Sequence, residues 1–263
     1  MATTIMWFRR DLRLADNPAL RHAVDAARTD GGGGDRGVVP LYVIDPTLWE
    51  AAGPTRRAYL VASLSDLGAR VGGWQLRHGD PVDEVVAVAR AAGAAQVHVA
   101  ADFGPYGRAR DVRVEQALAA HDIPLVRTGS AYAVSPGRVT KGDGSPYAVF
   151  TPFWQAWTDH GWPDPVGAPR GVDWVRPLTP QELPVAAAPP GTTLPAAGEE
   201  AARHRWRRFL AEAVDGYAAN RDRPGTDGTS RMSVHLKWGE IHPRTMLADL
   251  PAGAGSTLSL IHI

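Results

Sequence analysis

The chain contains no cysteine. That excludes disulfides, thiolate nucleophiles and metal sites built on thiolates, and it fits a reducing compartment. No apolar run approaches the roughly 20 residues that a membrane helix needs. The opening Met1-Ala2-Thr3-Thr4-Ile5-Met6-Trp7-Phe8-Arg9-Arg10 also lacks the basic-then-apolar order of a secretion signal. A cytoplasmic protein without membrane contact is expected. Net charge is absent too: 28 Lys and Arg balance 28 Asp and Glu, so the totals lend no support to nonspecific nucleic-acid binding. No catalytic triad or cluster of metal ligands stands out. Tryptophan, by contrast, is plentiful at nine residues, and its uses include packing, stacking and electron relay. With 263 residues, 44% of them hydrophobic, the chain is long enough for one large or two modest domains.

Hydrophobic periodicity divides the first half into alternating strands and helices. Ile5-Met6-Trp7-Phe8 reads as a buried first strand, and Asp16-Asn17-Pro18 caps a helix carrying Ala19-Leu20, Ala23-Val24 and Ala27. The glycine run at 31–34 ends that helix and precedes a strand, so it is no phosphate loop. Val38 to Ile44 is nearly all apolar, as in a sheet covered on both faces. A helix over 55–71 closes at Gly72-Gly73; strands follow at 74–77, 97–100 and 125–127, with helices opening at Asp80-Pro81 and at Gly107. This alternation predicts an α/β fold: a Rossmann-like, parallel five-stranded sheet with helices on both faces. Ligands of such sheets bind outside the carboxyl ends of the strands, here at the loops starting at Arg9, Asp45, His78 and Ala101. Arg9, Arg10, Asp11 and Arg13 read as a structural ion-pair cluster at a strand end.

From 163 to 195 prolines replace periodicity, marking an extended connector. Helical pattern returns at Glu199, where Ala202, Trp206, Phe209-Leu210, Ala213 and Tyr217 share a face, and a second, helical domain begins. Its Arg203, Arg205, Arg207 and Arg208 are read as a solvated face. Beyond lies Gly225-Thr226-Asp227-Gly228-Thr229-Ser230-Arg231-Met232-Ser233, rich in glycine, hydroxyls and one guanidinium. Two readings stand: a polar loop capping a helix at Thr229 or Ser230, or a phosphate cradle in which Thr229, Ser230, Ser233 and Arg231 donate. His235 and His242, nearby, are expected to serve packing or surface. The last six residues, 258–263, match the translation of a transposon adapter end used in sequencing libraries. They are expected to be non-native, with the second domain cut short before them.

Four segments carry a resemblance to the DNA photolyase and cryptochrome family. Trp7-Phe8-Arg9-Arg10-Asp11-Leu12-Arg13-Leu14-Ala15-Asp16-Asn17-Pro18-Ala19-Leu20 resembles its opening signature, and Gly107-Arg108-Ala109-Arg110-Asp111 resembles an antenna-domain helix start. Val149-Phe150-Thr151-Pro152-Phe153-Trp154-Gln155-Ala156-Trp157 is similar to the segment before the linker. Tyr217, Arg221-Asp222-Arg223-Pro224 and Gly228-Thr229-Ser230-Arg231-Met232-Ser233 are similar to the start of the flavin site. The resemblance implies an antenna domain at 1–130, a linker at 131–198 and the truncated start of an all-helical FAD domain at 199–257. It implies FAD contacts at Tyr217, Thr229, Ser230, Arg231, Met232 and Ser233. It further implies light-driven electron transfer from reduced FAD that splits cyclobutane pyrimidine dimers in damaged DNA, with the lesion taken out of the stack. A second antenna pigment, a deazaflavin rather than a folate, is implied near Asp102, Tyr106 and Gly107, because Tyr106-Gly107 replaces the Asn-Glu pair of folate binders. Met232 departs from the usual leucine, and Val234-His235 from Pro-Tyr or a similar pair. The ring-holding residues, the tryptophan relay and most of the lesion pocket would lie beyond this chain, so no catalytic residue is assigned and little repair is expected of it alone. Cryptochrome-type signalling and a stand-alone nucleotide- or pigment-binding module are the alternatives. A monomer is expected, although the residues themselves do not bear on it.

Overall fold

In the computed structural model, residues 2–29 and 37–250 are described. The elements run β1 (Thr4–Phe8), α1 (Pro18–Thr29), β2 (Val38–Ile44), α2 (Pro46–Glu50), α3 (Pro54–Arg70), β3 (Gln75–His78), α4 (Pro81–Ala92), β4 (Gln96–Ala101), α5 (Pro105–Ala119) and β5 (Leu125–Ser130). All pairings are parallel, in the order β3-β2-β1-β4-β5. The sheet is therefore the expected five-stranded α/β sheet.

Strand β1 shows why both faces are covered. Its five residues are all buried; Met6 and Phe8 pack into one core with α1 and α3, while Ile5 and Trp7 pack into the other with α4 and α5. A period of two places alternate side chains on opposite faces, so a strand apolar throughout needs a helix layer on each side. The helix starts follow local chemistry. Asn17 Oδ1 accepts the Leu20 N–H at 3.1 Å ahead of α1, and Asp45 and Asp80 accept N–H groups two residues on, with proline first in α2 and α4. The glycine run at 31–34 and the tail at 258–263 lie outside the described residues.

After β5 come α6 (Phe150–His160), α7 (Glu199–Glu212), α8 (Tyr217–Asn220), α9 (Ser233–Trp238) and α10 (Pro243–Ala248). The proline-rich connector has no helix, as expected, but it lies on the sheet domain. Val38 donates to the Asp173 carbonyl at 2.8 Å and accepts from the Val175 N–H at 3.1 Å, adding one parallel rung at Trp174. Trp174, Leu183 and Leu194 pack against one core, and Val175 and Leu178 against the other. Prolines hold such a segment extended, which lets it follow a sheet edge.

The helical part is bound to the sheet domain through buried polar groups. Fully buried Glu240 accepts four hydrogen bonds: from Ser63 Oγ at 2.5 Å, the Gly198 N–H at 2.7 Å, Tyr59 Oη at 2.8 Å and His235 Nδ1 at 2.6 Å. With its lone pairs met, the carboxylate is stable without water, and losing any one donor would leave part of it unsatisfied. Asp16, left-handed at φ 51°, accepts from Arg244 at 2.6 Å and Thr245 at 3.2 Å. Its burial would raise its pKa, but the His242, Arg244 and Val166 contacts prevail and hold it low. His242 Nδ1 caps α10 by accepting the Arg244 N–H at 3.1 Å, while Nε2 donates to the Ser130 carbonyl at 2.9 Å. Burial lowers its pKa, while the Asp16 carboxylate, 3.2 Å from Nδ1, opposes that shift. Both His235 and His242 thus have the packing role expected of them.

Candidate functional site

Two regions hold the residues expected to bind cofactors. The first is a cavity of about 290 Å³ at the carboxyl ends of β1, β2 and β4. Of the four loops expected there, those starting at Arg9, Asp45 and Ala101 line it directly, and the one starting at His78 contributes only Pro81. Its wall is aromatic and aliphatic, with Trp7, Tyr42, Trp49 and Leu60, and Trp238 of α9 closes it from the helical part. Asp102, Tyr106 and Gly107 all lie on this wall. Gly107 has a steric reason to be glycine: a Cβ there would sit 2.2 Å from Asp102 Cγ. Asp102 in turn accepts the Gly104 N–H at 3.0 Å ahead of α5. Tyr106 donates to Asp45 Oδ2 at 2.5 Å, and burial, then that acceptor, raises its pKa.

Charge is arranged around Trp7. The Arg9 and Arg110 guanidinium carbons lie 4.8 and 5.1 Å from the indole ring, a favourable cation–π geometry. Both arginines bond the buried Asp111, Arg9 at 2.5 Å and Arg110 at 2.8 Å. The expected ion-pair cluster within residues 9–13 is therefore corrected. Arg9 takes its carboxylate from α5; Asp11 instead accepts the Arg9 backbone N–H at 2.7 Å, and burial raises its pKa. Arg10 and Arg13 reach carbonyls, of Lys237 at 3.3 Å and of Asp16 and Gly239 at 2.7 and 3.0 Å. The reason is spatial: Asp11 is occupied with its own turn, and Asp111 of α5 lies within reach of the Arg9 guanidinium.

The second region is the loop leading into α9. Tyr217 does not close a long helix. Helix α7 ends at Glu212, a turn intervenes in which the Val214 N–H returns to the Phe209 carbonyl at 3.0 Å, and Tyr217 opens α8, edge-on to Phe209 with centroids 6.0 Å apart. Thr229 and Ser233 are exposed and Ser230 half-buried. Neither Thr229 nor Ser230 caps a helix, because α9 starts at Ser233 with Met232 in the capping position. Arg231 is exposed, left-handed at φ 50°, and paired with Asp227 at 3.0 Å. Met232 is buried with Trp206, Phe209, Ile241 and Met246, so its side chain anchors the loop and leaves only its backbone to face a ligand. Gly228 lies close against Asn220, whose Cβ is 2.4 Å from where its own would be. The hydroxyls and the guanidinium are thus presented to solvent on a segment anchored at Gly228 and Met232.

Sequence reasoning missed the contributions of Trp49, Arg56, Arg57, Lys237 and Trp238 to the cavity. The one signal was Asp45-Pro46, a cap and first-turn proline that announces the short α2 carrying Trp49.

Comparison with known proteins agrees with this architecture. The family model described as DNA photolyase matches residues 4–170. A deoxyribodipyrimidine photo-lyase of Halobacterium salinarum is 32% identical over 259 residues, covering 92% of this chain and 53% of its own length. The chain thus spans about half the length of the curated relatives it matches first. A bacterial class III photolyase from Agrobacterium tumefaciens superposes with a TM-score of 0.75 at 27% identity, over 100% of this chain and 55% of its own. A Synechocystis cryptochrome shares the fold, with a TM-score of 0.79 at 19% identity over 94% of this chain and 55% of its own. No described helix is long and apolar enough to cross a membrane. By this match and by its sheet, the chain belongs to the DNA photolyase family.

Proposed function

We propose that a protein of the relatives' full length carrying this chain is a light-driven DNA photolyase that splits cyclobutane pyrimidine dimers. In it, residues 1–130 form the antenna domain, 131–198 the linker and 199–257 the start of the FAD domain. The observation that carries this reading is the sharing of α9 between two sites: the loop of hydroxyls and Arg231 leads into its first turn, and Lys237 and Trp238 at its other end line the cavity. A nucleotide-binding module on its own would have no use for the loop.

The donor set fits the assigned groups. Thr229, Ser230 and Ser233 supply neutral donors and Arg231 a charged fork for the phosphates and ribose of FAD, with Tyr217 flanking and the Met232 side chain fixing the backbone. Bound FAD would supply the light-driven electron. In the cavity, a deazaflavin-type antenna pigment would lie against Trp7, Tyr42 and Trp49, bounded by Asp102, Tyr106 and Gly107. Pockets of roughly 300 Å³ and more that are mostly apolar with a few polar groups suit planar organic ligands. Finding folate alone in the natively purified protein would overturn the deazaflavin assignment. The DNA partner follows from the same reading.

The test is repair of an ultraviolet-irradiated oligothymidylate. The full-length protein should remove dimers only under blue or near-ultraviolet light, and the 263-residue chain should not. A full-length protein that neither repairs nor prefers dimer-containing DNA would favour signalling instead.

A further inference from the structure

Helix α6 is apolar without a core to face. Its 11 residues include Phe150, Phe153, Trp154 and Trp157, yet none of its side chains is buried and no side chain caps its start. Among the described residues, none of these rings packs against the three hydrophobic cores. They pack on one another instead. Phe150, Trp154 and Trp157 follow at i, i+4 and i+7, one face of a helix. They stack with centroids 6.4 and 5.5 Å apart, and Trp162 extends the row at 4.6 Å. A helix this short is marginal in water and draws its stability from burying such a face. A contiguous aromatic strip left to solvent marks an interaction surface.

Charge and position narrow what covers it. The helix holds one carboxylate, Asp159, and no lysine or arginine. It therefore lacks the cations with which an aromatic face binds a lipid surface or single-stranded nucleic acid. Position points to the chain itself, because α10, the last described element, is fixed at both ends of the stretch that carries α6. Before that stretch, His242 Nε2 bonds the Ser130 carbonyl at 2.9 Å. After it, Val166 exchanges two hydrogen bonds with Asp16, at 2.7 and 3.2 Å, and Asp16 is the carboxylate that Arg244 and Thr245 hold. Chain continuing past Leu250 thus starts at the base of this stretch. The present chain covers 53% of the Halobacterium salinarum photo-lyase, so a protein of that length has ample chain left to reach the row.

We propose that the aromatic row of α6 is the docking face for the helical chain that follows Leu250 in a protein of the relatives' full length. The inference rests on the reading of 199–257 as the start of a longer helical domain, and it makes α6 the place where that domain's remainder locks onto the segment between β5 and the connector. The rings enter a shared core, and α6 becomes ordered by its cover.

Hydrogen exchange followed by mass spectrometry, on the 263-residue chain and on the full-length protein, tests this. Amides of α6 should exchange about a hundredfold or more slowly in the full-length protein. Trp154→Gln/Trp157→Gln should lower the denaturation midpoint of the full-length protein and leave that of the 263-residue chain unchanged, while Trp154→Phe/Trp157→Phe should restore most of the loss. If Trp154→Gln/Trp157→Gln keeps the full-length protein from folding, the exchange comparison on the unaltered chains decides alone. Equal α6 exchange in the two chains would overturn the inference, because the face would be solvated in both. An equal midpoint shift in both would also overturn it, because the row would then pack within the described fold. A full-length dimer in sedimentation that Trp154→Gln/Trp157→Gln dissociates would assign the face to a second copy and overturn it as well. Neither readout is repair, so these failures leave the photolyase reading standing; failure of that reading alone would show as absent repair with α6 still protected.

Discussion

The two candidate cofactor regions are built in opposite ways. The cavity at the carboxyl edge of the sheet is walled mainly by three loops and closed by Trp238, and Arg9, Arg110 and Tyr106 on its wall are already engaged with buried carboxylates. The loop at 225–233 is anchored at Gly228 and Met232 and otherwise open, its donors facing water. A walled site selects its ligand by shape before binding. An open one acquires its shape from whatever covers it. The first should therefore function as a site in this chain, and the second only when further chain or ligand closes over it.

The sharpest way to break that contrast is to remove what joins the two regions. Glu240→Ala would leave Ser63, Tyr59, His235 and the Gly198 N–H without their shared acceptor. A loss of about 3–5 kcal/mol is expected, within the range for breaking a buried charged network, and it should appear as one lowered transition in chemical denaturation. Two separate transitions would mean that the sheet domain and the helical part fold independently.

Acid should act next most strongly, and on the sheet. His98 on β4 is buried with neither ring nitrogen bonded, and its pKa is depressed to about 4, by burial first and then by His22. As pH falls through about 6.5 the unfolded chain takes up a proton that the folded chain refuses. Stability is thus full above that pH and declines down to about 4, by roughly 3 kcal/mol in total. His98→Leu should flatten the slope over that window; an unchanged slope would assign it to other groups.

Gly239→Ala targets the hinge between the regions. Gly239 is left-handed at φ 66°, and a Cβ would sit 2.1 Å from the Arg10 carbonyl oxygen. The expected cost is about 2 kcal/mol from conformational strain and displacement, read as a lowered midpoint in chemical denaturation. The smallest effect belongs to the open loop. Asp227→Ala removes an exposed partner of Arg231, so stability should change by less than about 0.5 kcal/mol. Freed of its competitor, Arg231 should bind FAD a few-fold more tightly in the full-length protein, measured by flavin retention.

The same contrast explains how much could be read in advance. The sheet was legible because β1, β2 and β4 are short apolar runs between helices with caps and periodic faces, and that alternation permits few topologies. The loop was legible as a cluster of consecutive residues. The cavity was legible only as an address, the carboxyl ends of the strands; Trp49, Arg56 and Lys237 meet there from distant positions, and no local pattern announces such a meeting. Helix α2 is too short to show a period. Tyr217 seemed to continue α7 because it keeps the apolar spacing, yet Asp215-Gly216 breaks the backbone between them. Arg9 found its partner in α5 because tertiary proximity prevailed over nearness in sequence.

Asp16, in its left-handed turn after β1, receives its side-chain partners from Arg244 and Thr245, 228 and 229 residues later. Elongation at about 5–20 residues per second puts roughly ten to forty-five seconds between synthesis of the carboxylate and arrival of its cation. During that interval the exit of the first strand waits on the ribosome, with a charged group that cannot yet be buried.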